Sequence, residues 1–324
     1  MVATPLYDGA QADYLRSVVG LTGAAARAGV GCAFAWLSNN AVIDRARNVL
    51  AAAFLQSDAT HLVFIDGDIG FVPEDLLDLV QRMAADDRLA VIGAPCPKRR
   101  INWSLVASAA AKGLAAGNPG ELERFSGLFA VEPLEPKGEF RLDAPIELLR
   151  VGTGLMVVRR DVIEALCAAH PELRYAADQL DRESGLAGDT LTALFMPLID
   201  PDSGHLLSDD YAFCHRVRAA GFRIWLAPWM RTSHTGPARF AGALADLAHL
   251  NAASQPASPS TPSHGYLSPC AIFLSPIMTG RRCWRKSAPP QWTICLSTFP
   301  KSRGSTARST ASPCTPAKWR WNAT

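Results

Sequence analysis

The chain has 324 residues, long enough for one large or two smaller domains with a substantial core. Its eight cysteines show neither the paired spacing of a zinc site nor a disulfide framework, which favours a reducing compartment. No stretch approaches the roughly 20 apolar residues of a membrane span, and no signal peptide precedes the first predicted strand. We therefore expect a cytoplasmic protein without a transmembrane segment.

The net charge of +2 conceals a sharp change near residue 250. Residues 1–250 carry 23 Lys or Arg and 30 Asp or Glu, whereas residues 251–324 carry nine basic residues and no acidic one. The last segment also contains four Trp, four Cys and ten Pro, without helical or strand periodicity. The sequence therefore predicts a domain over 1–250, followed by an irregular or disordered basic tail over 251–324.

Three explanations of this tail stay open. Its basic and aromatic side chains could contact nucleic acid or an anionic surface. Its composition also fits a disordered linker, although such linkers seldom carry this much Trp and Cys. We favour a frameshift that joined out-of-frame codons to the domain near residue 251, and we expect no nucleic-acid partner. Translating the other two reading frames tests this, since the hypothesis requires a protein-like continuation in one of them.

Predicted strands and helices alternate along the first hundred residues. The strands are expected at Val2 to Leu6, Cys32 to Leu37, His61 to Asp66 and Leu89 to Ala94. The helices are expected at about Ala12 to Ala28, Val42 to Gln56 and Pro73 to Ala85. This alternation predicts an α/β fold with a mainly parallel sheet and helices on both faces.

The remaining signals are less regular. Between Pro95 and Arg150 we expect an Ala- and Leu-rich helix and a weak strand at Phe125 to Val131. Further on, the predicted elements are a buried strand within 151–158, a helix from Asp161 to about Ala169, a helix capped by Ser208 and ended by Gly221, and a strand from Arg223 to Ala227.

Two carboxylates, Asp66 and Asp68, stand at the carboxyl end of the third predicted strand. In open α/β sheets, ligands bind beyond the carboxyl ends of the strands. Oxygen ligands at such a place suit a hard cation such as Mg²⁺ or Mn²⁺. Asp-Gly-Asp is also favourable turn chemistry, so the motif alone leaves a cation site and a simple turn open.

Two other polar or flexible segments are candidates for a site. Gly152, Thr153 and Gly154 enter a buried strand, where glycine permits either the approach of a ligand or tight packing. Asp209 and Asp210 open a predicted helix, where the helix dipole alone would favour them. Their functional value depends on what lies opposite.

Taken in order, Asp66-x-Asp68, Gly152 to Gly154, Asp209-Asp210 and His234-x-Gly236 resemble the motifs of GT-A fold glycosyltransferases, particularly family 2-like bacterial enzymes. The resemblance covers residues 1 to about 250. Its most specific stretches are Ala46 to Asn48, Thr60 to Phe71, Leu207 to Cys214, and Trp225 to His234. It implies a GT-A, Rossmann-like sheet flanked by helices. It also implies metal-dependent sugar transfer from a nucleoside diphosphate donor to a hydroxyl group of a glycan, lipid-linked or protein acceptor.

The resemblance implies a metal and nucleotide site as well. Asp68 and His234 would bind manganese or magnesium directly, and Asp66 would contact the ribose or a metal-bound water. A cation is physically sensible because the leaving nucleoside diphosphate develops negative charge. Arginine suits phosphate, although a surface salt bridge is equally available to it. The candidate nucleotide-sugar contacts are Asp66 together with Thr4, Pro5, Arg45, Arg47 and Asn48.

An acidic pair near the acceptor completes the implied site. In inverting enzymes of this kind its second member is the general base, so Asp210 would accept the proton of the acceptor hydroxyl and Asp209 would support it. The usual pair is Glu-Asp, whereas this chain has Asp-Asp. Desolvation or the neighbouring carboxylate could raise the pKa of Asp210 towards the working pH. A retaining enzyme would not need this base.

Two alternatives to a glycosyltransferase remain. Haloacid dehalogenase-like phosphatases also place Asp-x-Asp at a strand end, the first Asp being a nucleophile and the second an acid. They usually begin near the motif and carry Thr or Val soon after it, whereas here a βαβα stretch precedes it and Ile69-Gly70 follows. The other alternative is a non-catalytic, nucleotide-binding or truncated protein, if residues 251–324 replaced a necessary segment.

Overall fold

A computed structural model describes residues 1–7, 9–129, 131–134, 140–185, 189–236 and 239–246, and the backbone of Tyr266–Leu267. These residues all lie in one unit, Met1–Ile277, and the second unit, Met278–Thr324, lies outside the described residues. Apart from the two residues Tyr266–Leu267, the predicted tail also lies outside the described residues. The division of the chain at residue 250 stays a prediction.

The N-terminal half follows the predicted alternation. Its elements are β1 (Val2–Leu6), α1 (Ala12–Ala28), β2 (Phe34–Ser38), α2 (Ile43–Leu55), β3 (His61–Ile65), β4 (Ile69–Phe71), α3 (Pro73–Ala85) and β5 (Val91–Gly93). All of the predicted helices and strands are present, with bounds shifted by at most two residues at each end. The short strand β4 was not predicted.

The second half contains shorter elements. They are α4 (Trp103–Ala111), a 3-10 helix (Pro119–Phe125), β6 (Glu132–Pro133), β7 (Phe140–Arg141), β8 (Ile146–Arg150), β9 (Leu155–Arg159), α5 (Arg160–Ala169), a second 3-10 helix (Pro171–Leu173), β10 (Arg174–Ala176), α6 (Gln179–Glu183), β11 (Thr190–Thr192), β12 (Leu198–Ile199), β13 (Leu206–Leu207), α7 (Asp209–Ala219), β14 (Ile224–Leu226), β15 (Thr232–Thr235), β16 (Arg239–Gly242) and β17 (Tyr266–Leu267). The predicted strand at Phe125 to Val131 is wrong, because Phe125 ends a 3-10 helix and Phe129 forms only an isolated bridge with Pro97.

The central sheet has eight strands in the order β2-β1-β3-β9-β5-β14-β8-β6. Strand β1 is parallel to β2 and β3, and β5 is parallel to β14. Because β9 is antiparallel to β3 and β5, and β8 is antiparallel to β14 and β6, these two strands run against the other six. The mainly parallel sheet is confirmed, and it brings the carboxyl ends of β1, β2 and β3 to one edge.

Helices cover both faces of this sheet, as predicted. Leu62 and Phe64 of β3 belong to a hydrophobic cluster that includes buried residues of α2, α5 and α7. Val63 and Ile65, which alternate with them, belong to a second cluster with residues of α1 and α3. A strand buried on both faces reads as a continuous apolar run, which is why β3 was recognisable in the sequence.

A smaller sheet, in the order β16-β15-β4, stands beyond the end of β3. In it β15 is antiparallel to β4, and His234 lies opposite Ile69. Helix α1 anchors β4, because the Ser17 hydroxyl donates to the Phe71 carbonyl at 2.7 Å and accepts from the Phe71 amide at 2.9 Å. This sheet carries His234 to the turn that follows β3.

Two further observations bear on the predicted tail and compartment. The backbone of β17 pairs with β7, so two residues beyond position 250 belong to the same unit as the described domain. None of the described helices has both the length and the apolar character that crossing a bilayer requires. The cytoplasmic location stays a prediction.

Candidate functional site

The turn Asp66-Gly67-Asp68 joins β3 to β4 and is fixed by backbone hydrogen bonds. The Ile69 amide donates to the Asp66 carbonyl at 3.0 Å, and the Asp66 amide donates to the Gly154 carbonyl at 3.0 Å. A Cβ added at Gly67 would lie 2.4 Å from Leu6 Cδ2, so a larger residue there would require the Leu6 side chain to move. The turn is therefore real, and it also presents two carboxylates at the carboxyl edge of the sheet.

Asp68, His234 and Arg99 form the first cluster at this edge. Asp68 Oδ2 lies 3.3 Å from His234 Nε2. His234 Nδ1 lies 2.8 Å from the Pro97 carbonyl, which can only accept, so Nδ1 carries the proton and Nε2 presents a lone pair. The Arg99 guanidinium donates from Nε to this Nε2 at 2.9 Å and forms an ion pair with Asp68. Two electron-pair donors thus converge on one cationic group.

This pair fits a divalent cation. Neighbouring ligands around an octahedral Mg²⁺ lie roughly 3 Å apart, close to the 3.3 Å between Asp68 Oδ2 and His234 Nε2. Burial lowers the pKa of His234 and favours the neutral imidazole that binds metals. Beside it, Thr235 Oγ1 is buried without a hydrogen-bond partner among the described residues. Asp68 and His234 would hold the ion, with other positions left for water or substrate oxygens.

Asp66 has a different partner from Asp68 and His234. Within the described part of the chain, no three or more His, Cys, Asp or Glu side chains are grouped to hold a metal ion. Both carboxylate oxygens of Asp66 accept from Arg47 Nη2, at 3.0 and 3.3 Å. Asp66 is therefore paired with Arg47, whereas Asp68 Oδ2 and His234 Nε2 lie 3.3 Å from each other.

Arg47 of α2 connects the two acidic segments. Its Nη2 binds Asp66, and its Nη1 donates to Asp209 at the start of α7. Its side chain is 6% exposed, and its Nε has no hydrogen-bond partner among the described residues. Burial alone would lower the pKa of Arg47, but the charges of Asp66 and Asp209 outweigh it and raise the pKa. Arg47 is thus a charged cross-link between the strand and helix that carry the predicted site.

Asp210 is held beside Asp209 in the first turn of α7. Its Oδ1 accepts from the Ser208 hydroxyl and, at 2.8 Å, from the Tyr211 amide. Ser208 stands at the predicted N-cap position, but its hydroxyl binds Asp210 instead of a backbone amide. Burial, with a further contribution from the charge of Asp209, raises the pKa of Asp210. A carboxylate with a raised pKa is a better proton acceptor, as expected of a general base.

The segment from Gly152 to Gly154, predicted as a candidate part of the substrate pocket, has two different environments. A Cβ added at Gly152 would lie 3.5 Å from Asp210 Oδ2, so this glycine leaves its backbone beside the candidate base. A Cβ at Gly154 would lie 3.1 Å from Cys96 Sγ, which indicates tight packing, and Thr153 is buried. Only Gly152 adjoins the acidic pair directly.

A cavity of about 530 Å³ opens at the carboxyl ends of β1, β2 and β3, and its size suits a nucleotide or similar ligand. The lining residues that carry polar groups or aromatic rings are Tyr7, Gln11, Asn40, Asp66, Asp68, Arg99, His234 and Thr235. Pro5, predicted as a nucleotide contact, also lines this cavity. The same space therefore meets the Asp68–His234 pair and the ends of the first strands.

The other predicted nucleotide contacts have partners inside the protein. Thr4 is buried, with its hydroxyl 2.7 Å from the Tyr14 hydroxyl. Arg45 binds Asp178 and, at 2.9 Å, Asp181. The side-chain carbonyl of Asn48 accepts from the Phe195 amide at 3.0 Å. None of these three lines the cavity, whereas Pro5 and Asp66 do.

Sequence reasoning missed several side chains of the cavity, most notably Arg99. It lies in the run Lys98-Arg99-Arg100, in a stretch without regular periodicity. Three consecutive basic residues were the available signal, although basic runs are usually solvated surface. Tyr7 directly follows the first strand, and its 67% exposed ring had no partner that the sequence could indicate.

Comparisons with known proteins give only distant similarities. No protein-family model matches the chain, and no curated protein matches it in sequence. Among solved structures, A197 from STIV aligns at 9% identity, covering 81% of this chain and 99% of that one, with a TM-score of 0.39. CMP:2-keto-3-deoxy-manno-octonic acid synthetase complexed with CTP aligns at 12% identity, over 69% and 88%, with a TM-score of 0.31.

A third solved structure, GalNAc-T7 with UDP, GalNAc and Mn²⁺, aligns at 10% identity over 78% of this chain and 47% of that one, with a TM-score of 0.37. Similarities this distant do not establish a family or a substrate.

Proposed function

We propose that this chain is a metal-dependent glycosyltransferase that moves a sugar from a nucleoside diphosphate donor to a hydroxyl acceptor. The observation that carries the proposal is the convergence of Asp68 Oδ2 and His234 Nε2, 3.3 Å apart, at the wall of a cavity beyond β1 to β3. Carboxylate and imidazole facing one point suit manganese or magnesium, and the cavity has the volume of a nucleotide site.

The acidic residues supply the second part of the proposed reaction. Asp210 accepts the proton of the attacking hydroxyl as that oxygen bonds to the anomeric carbon and the bond to the diphosphate breaks. Its raised pKa favours this proton transfer. Asp209 pairs with Arg47, which keeps the start of α7 next to the turn after β3. A bound cation would neutralise charge that develops on the leaving diphosphate.

The test is an activity screen of the full chain against a panel of nucleotide sugars with Mn²⁺ or Mg²⁺, measuring release of the nucleoside diphosphate with and without hydroxyl acceptors. We expect metal-dependent release from one donor class. Asp210→Asn should lower the rate about 10²- to 10⁴-fold.

Two results of this screen would count against the proposal. One is the absence of release from every donor in a chain that is shown to be folded. The other is hydrolysis of a generic phosphomonoester that Asp66→Asn abolishes, since this is the behaviour expected of a phosphatase whose nucleophile is Asp66.

A further inference from the structure

We infer that the Arg99 guanidinium and a divalent cation exchange at Asp68 and His234, and that the displaced Arg99 then serves as a diphosphate-binding residue. This inference rests on the proposed function and assigns that site a further substrate contact. Its starting point is the contact between Arg99 and His234, whose ring proton lies on Nδ1 because Nδ1 binds the Pro97 carbonyl. Arg99 Nε donates to His234 Nε2 at 2.9 Å, and the same guanidinium pairs with Asp68 Oδ2.

The acceptor atoms of Asp68 and His234 favour a positively charged group between them. With the proton on Nδ1, His234 Nε2 and Asp68 Oδ2 are both acceptors, and they lie 3.3 Å apart. Two acceptors at this separation repel each other unless a positive group binds both. Arg99 supplies that group and uses the lone pairs that a metal ion would need. The guanidinium and a metal ion are therefore mutually exclusive at this point.

The loop that carries Arg99 allows such an exchange. Its backbone is held by hydrogen bonds from the Lys98 amide to the Leu128 carbonyl at 2.8 Å and from the Asn102 amide to the Ser126 carbonyl at 2.9 Å. The Arg99 side chain itself is 51% exposed, whereas those of Asp68 and His234 are 19% and 22% exposed. The long side chain can leave its partners without movement of the loop backbone.

The exchange changes the charge that the cavity offers to an anion. While Arg99 is paired, its charge is compensated by Asp68. Once the ion takes its place, a guanidinium without that partner stands on the wall of the same cavity. Guanidinium groups match phosphate oxygens in geometry and charge. Binding of the cation and binding of a diphosphate are therefore expected to favour each other.

The experiment uses the full chain and two binding measurements. Mn²⁺ alone is titrated into wild type and Arg99→Ala, and bound ion is detected by loss of the electron paramagnetic resonance signal of free Mn²⁺. We expect Arg99→Ala to bind Mn²⁺ roughly tenfold more tightly, because its competitor is gone. Inorganic pyrophosphate is then titrated at saturating Mn²⁺, and Arg99→Ala should bind it several-fold more weakly than wild type.

Arg100→Ala is the matched control, since Arg100 is an exposed neighbour on the same loop without an ion pair to Asp68 or His234 in the described structure. It should behave as wild type in both titrations. The exchange is overturned if Arg99→Ala binds Mn²⁺ no more tightly than wild type, or binds pyrophosphate as well as wild type does. Failure of the proposed function looks different: Arg99→Ala would bind Mn²⁺ more tightly, while no nucleotide sugar is turned over.

Discussion

Arg47 shows how a residue singled out in the sequence can take a different place in the site. Arginine before Asn48 suggested a phosphate contact, and its buried guanidinium binds Asp66 through Nη2 and Asp209 through Nη1. Sequence spacing could not indicate this, because Asp209 is 162 residues away along the chain. Its two ion pairs link the turn after β3 to the start of α7, and its predicted contact with a nucleotide stays a prediction.

We predict that Arg47→Ala lowers the free energy of unfolding by about 3 kcal/mol, since it leaves two partly buried carboxylates without a counter-charge. Arg47→Lys should recover part of this loss, because one ammonium cannot reproduce the two-sided contact. Urea unfolding measures both changes.

Arg45→Ala is the matched control on the same helix. Arg45 also binds two carboxylates, but its side chain is 28% exposed against 6% for Arg47. The expected loss is smaller than for Arg47→Ala, because Asp178 is 55% exposed and the buried carboxylate of Asp181 still accepts from the Asp178 amide at 3.2 Å. Equal losses in the free energy of unfolding for Arg45→Ala and Arg47→Ala would show that the Arg47 cross-link contributes no more to stability than the ion pairs of Arg45.

A second prediction at this scale concerns pH. Because burial and the charge of Asp209 raise the pKa of Asp210, the base is protonated and inactive at a pH where an ordinary aspartate is already ionised. The rate of sugar transfer should therefore rise with pH through the raised pKa of Asp210. Asp209→Asn removes the neighbouring negative charge, lowers the pKa of Asp210, and should move this acidic limb to lower pH. The measurement is a kcat/KM profile of both enzymes, and an unmoved limb, or one moved to higher pH, would contradict the assignment.

At the scale of elements, the first hundred residues were predictable because their signals are local. Buried strands such as β3 read as apolar runs, and α1 and α3 show helical spacing with favourable first turns. Strand β4 was missed because it has three residues, one of them glycine, and pairs with β15 more than 150 residues later. Its role in placing His234 depends on that distant pairing, which no local pattern contains.

The position of β9 was unpredictable for a related reason. The sequence indicated a buried strand after Gly154, and the strand is present. Its antiparallel insertion between β3 and β5 could not be read, because strands buried on both faces look alike in either direction. The wrong strand at Phe125 to Val131 arose where aromatic residues pack within a 3-10 helix and an irregular loop.

Gly70 tests whether β4 positions the site. A Cβ there would lie 2.5 Å from Ser233 Oγ and 2.9 Å from Asp13 Cβ, so Gly70→Ala must displace β15 or α1. We expect it to cost about 1–3 kcal/mol of stability and to weaken Mn²⁺ binding, because Ser233 precedes His234.

Gly31→Ala is the control for this substitution, since a Cβ at Gly31 meets nothing within 4 Å. Thermal unfolding and Mn²⁺ titration of both variants provide the comparison. If Gly70→Ala is destabilised but binds Mn²⁺ as well as wild type does, β4 does not position the metal site.

At the scale of the whole molecule, the sheet gathers distant segments at one edge. The turn after β3 precedes the start of α7 by about 140 residues and the start of β15 by about 160, yet Arg47 and the β4–β15 pairing connect these segments. The order of the motifs could be read in the sequence, but their contacts could not. The elements that carry the proposed site lie within 1–250, so the unusual composition of 251–324 does not enter the account of the chemistry.

The most direct test of the central claim is a thermal-shift measurement on the full chain with nucleoside diphosphates, with and without Mn²⁺. We predict that at least one nucleoside diphosphate raises the unfolding temperature only when Mn²⁺ is present, with a gain in the free energy of unfolding of RT ln(1 + [L]/Kd). Asp68→Asn should abolish this gain, whereas Asp58→Asn, at the exposed opposite end of β3, should keep it. Equal stabilisation of Asp68→Asn and wild type, or none by any nucleoside diphosphate with Mn²⁺, would contradict the account.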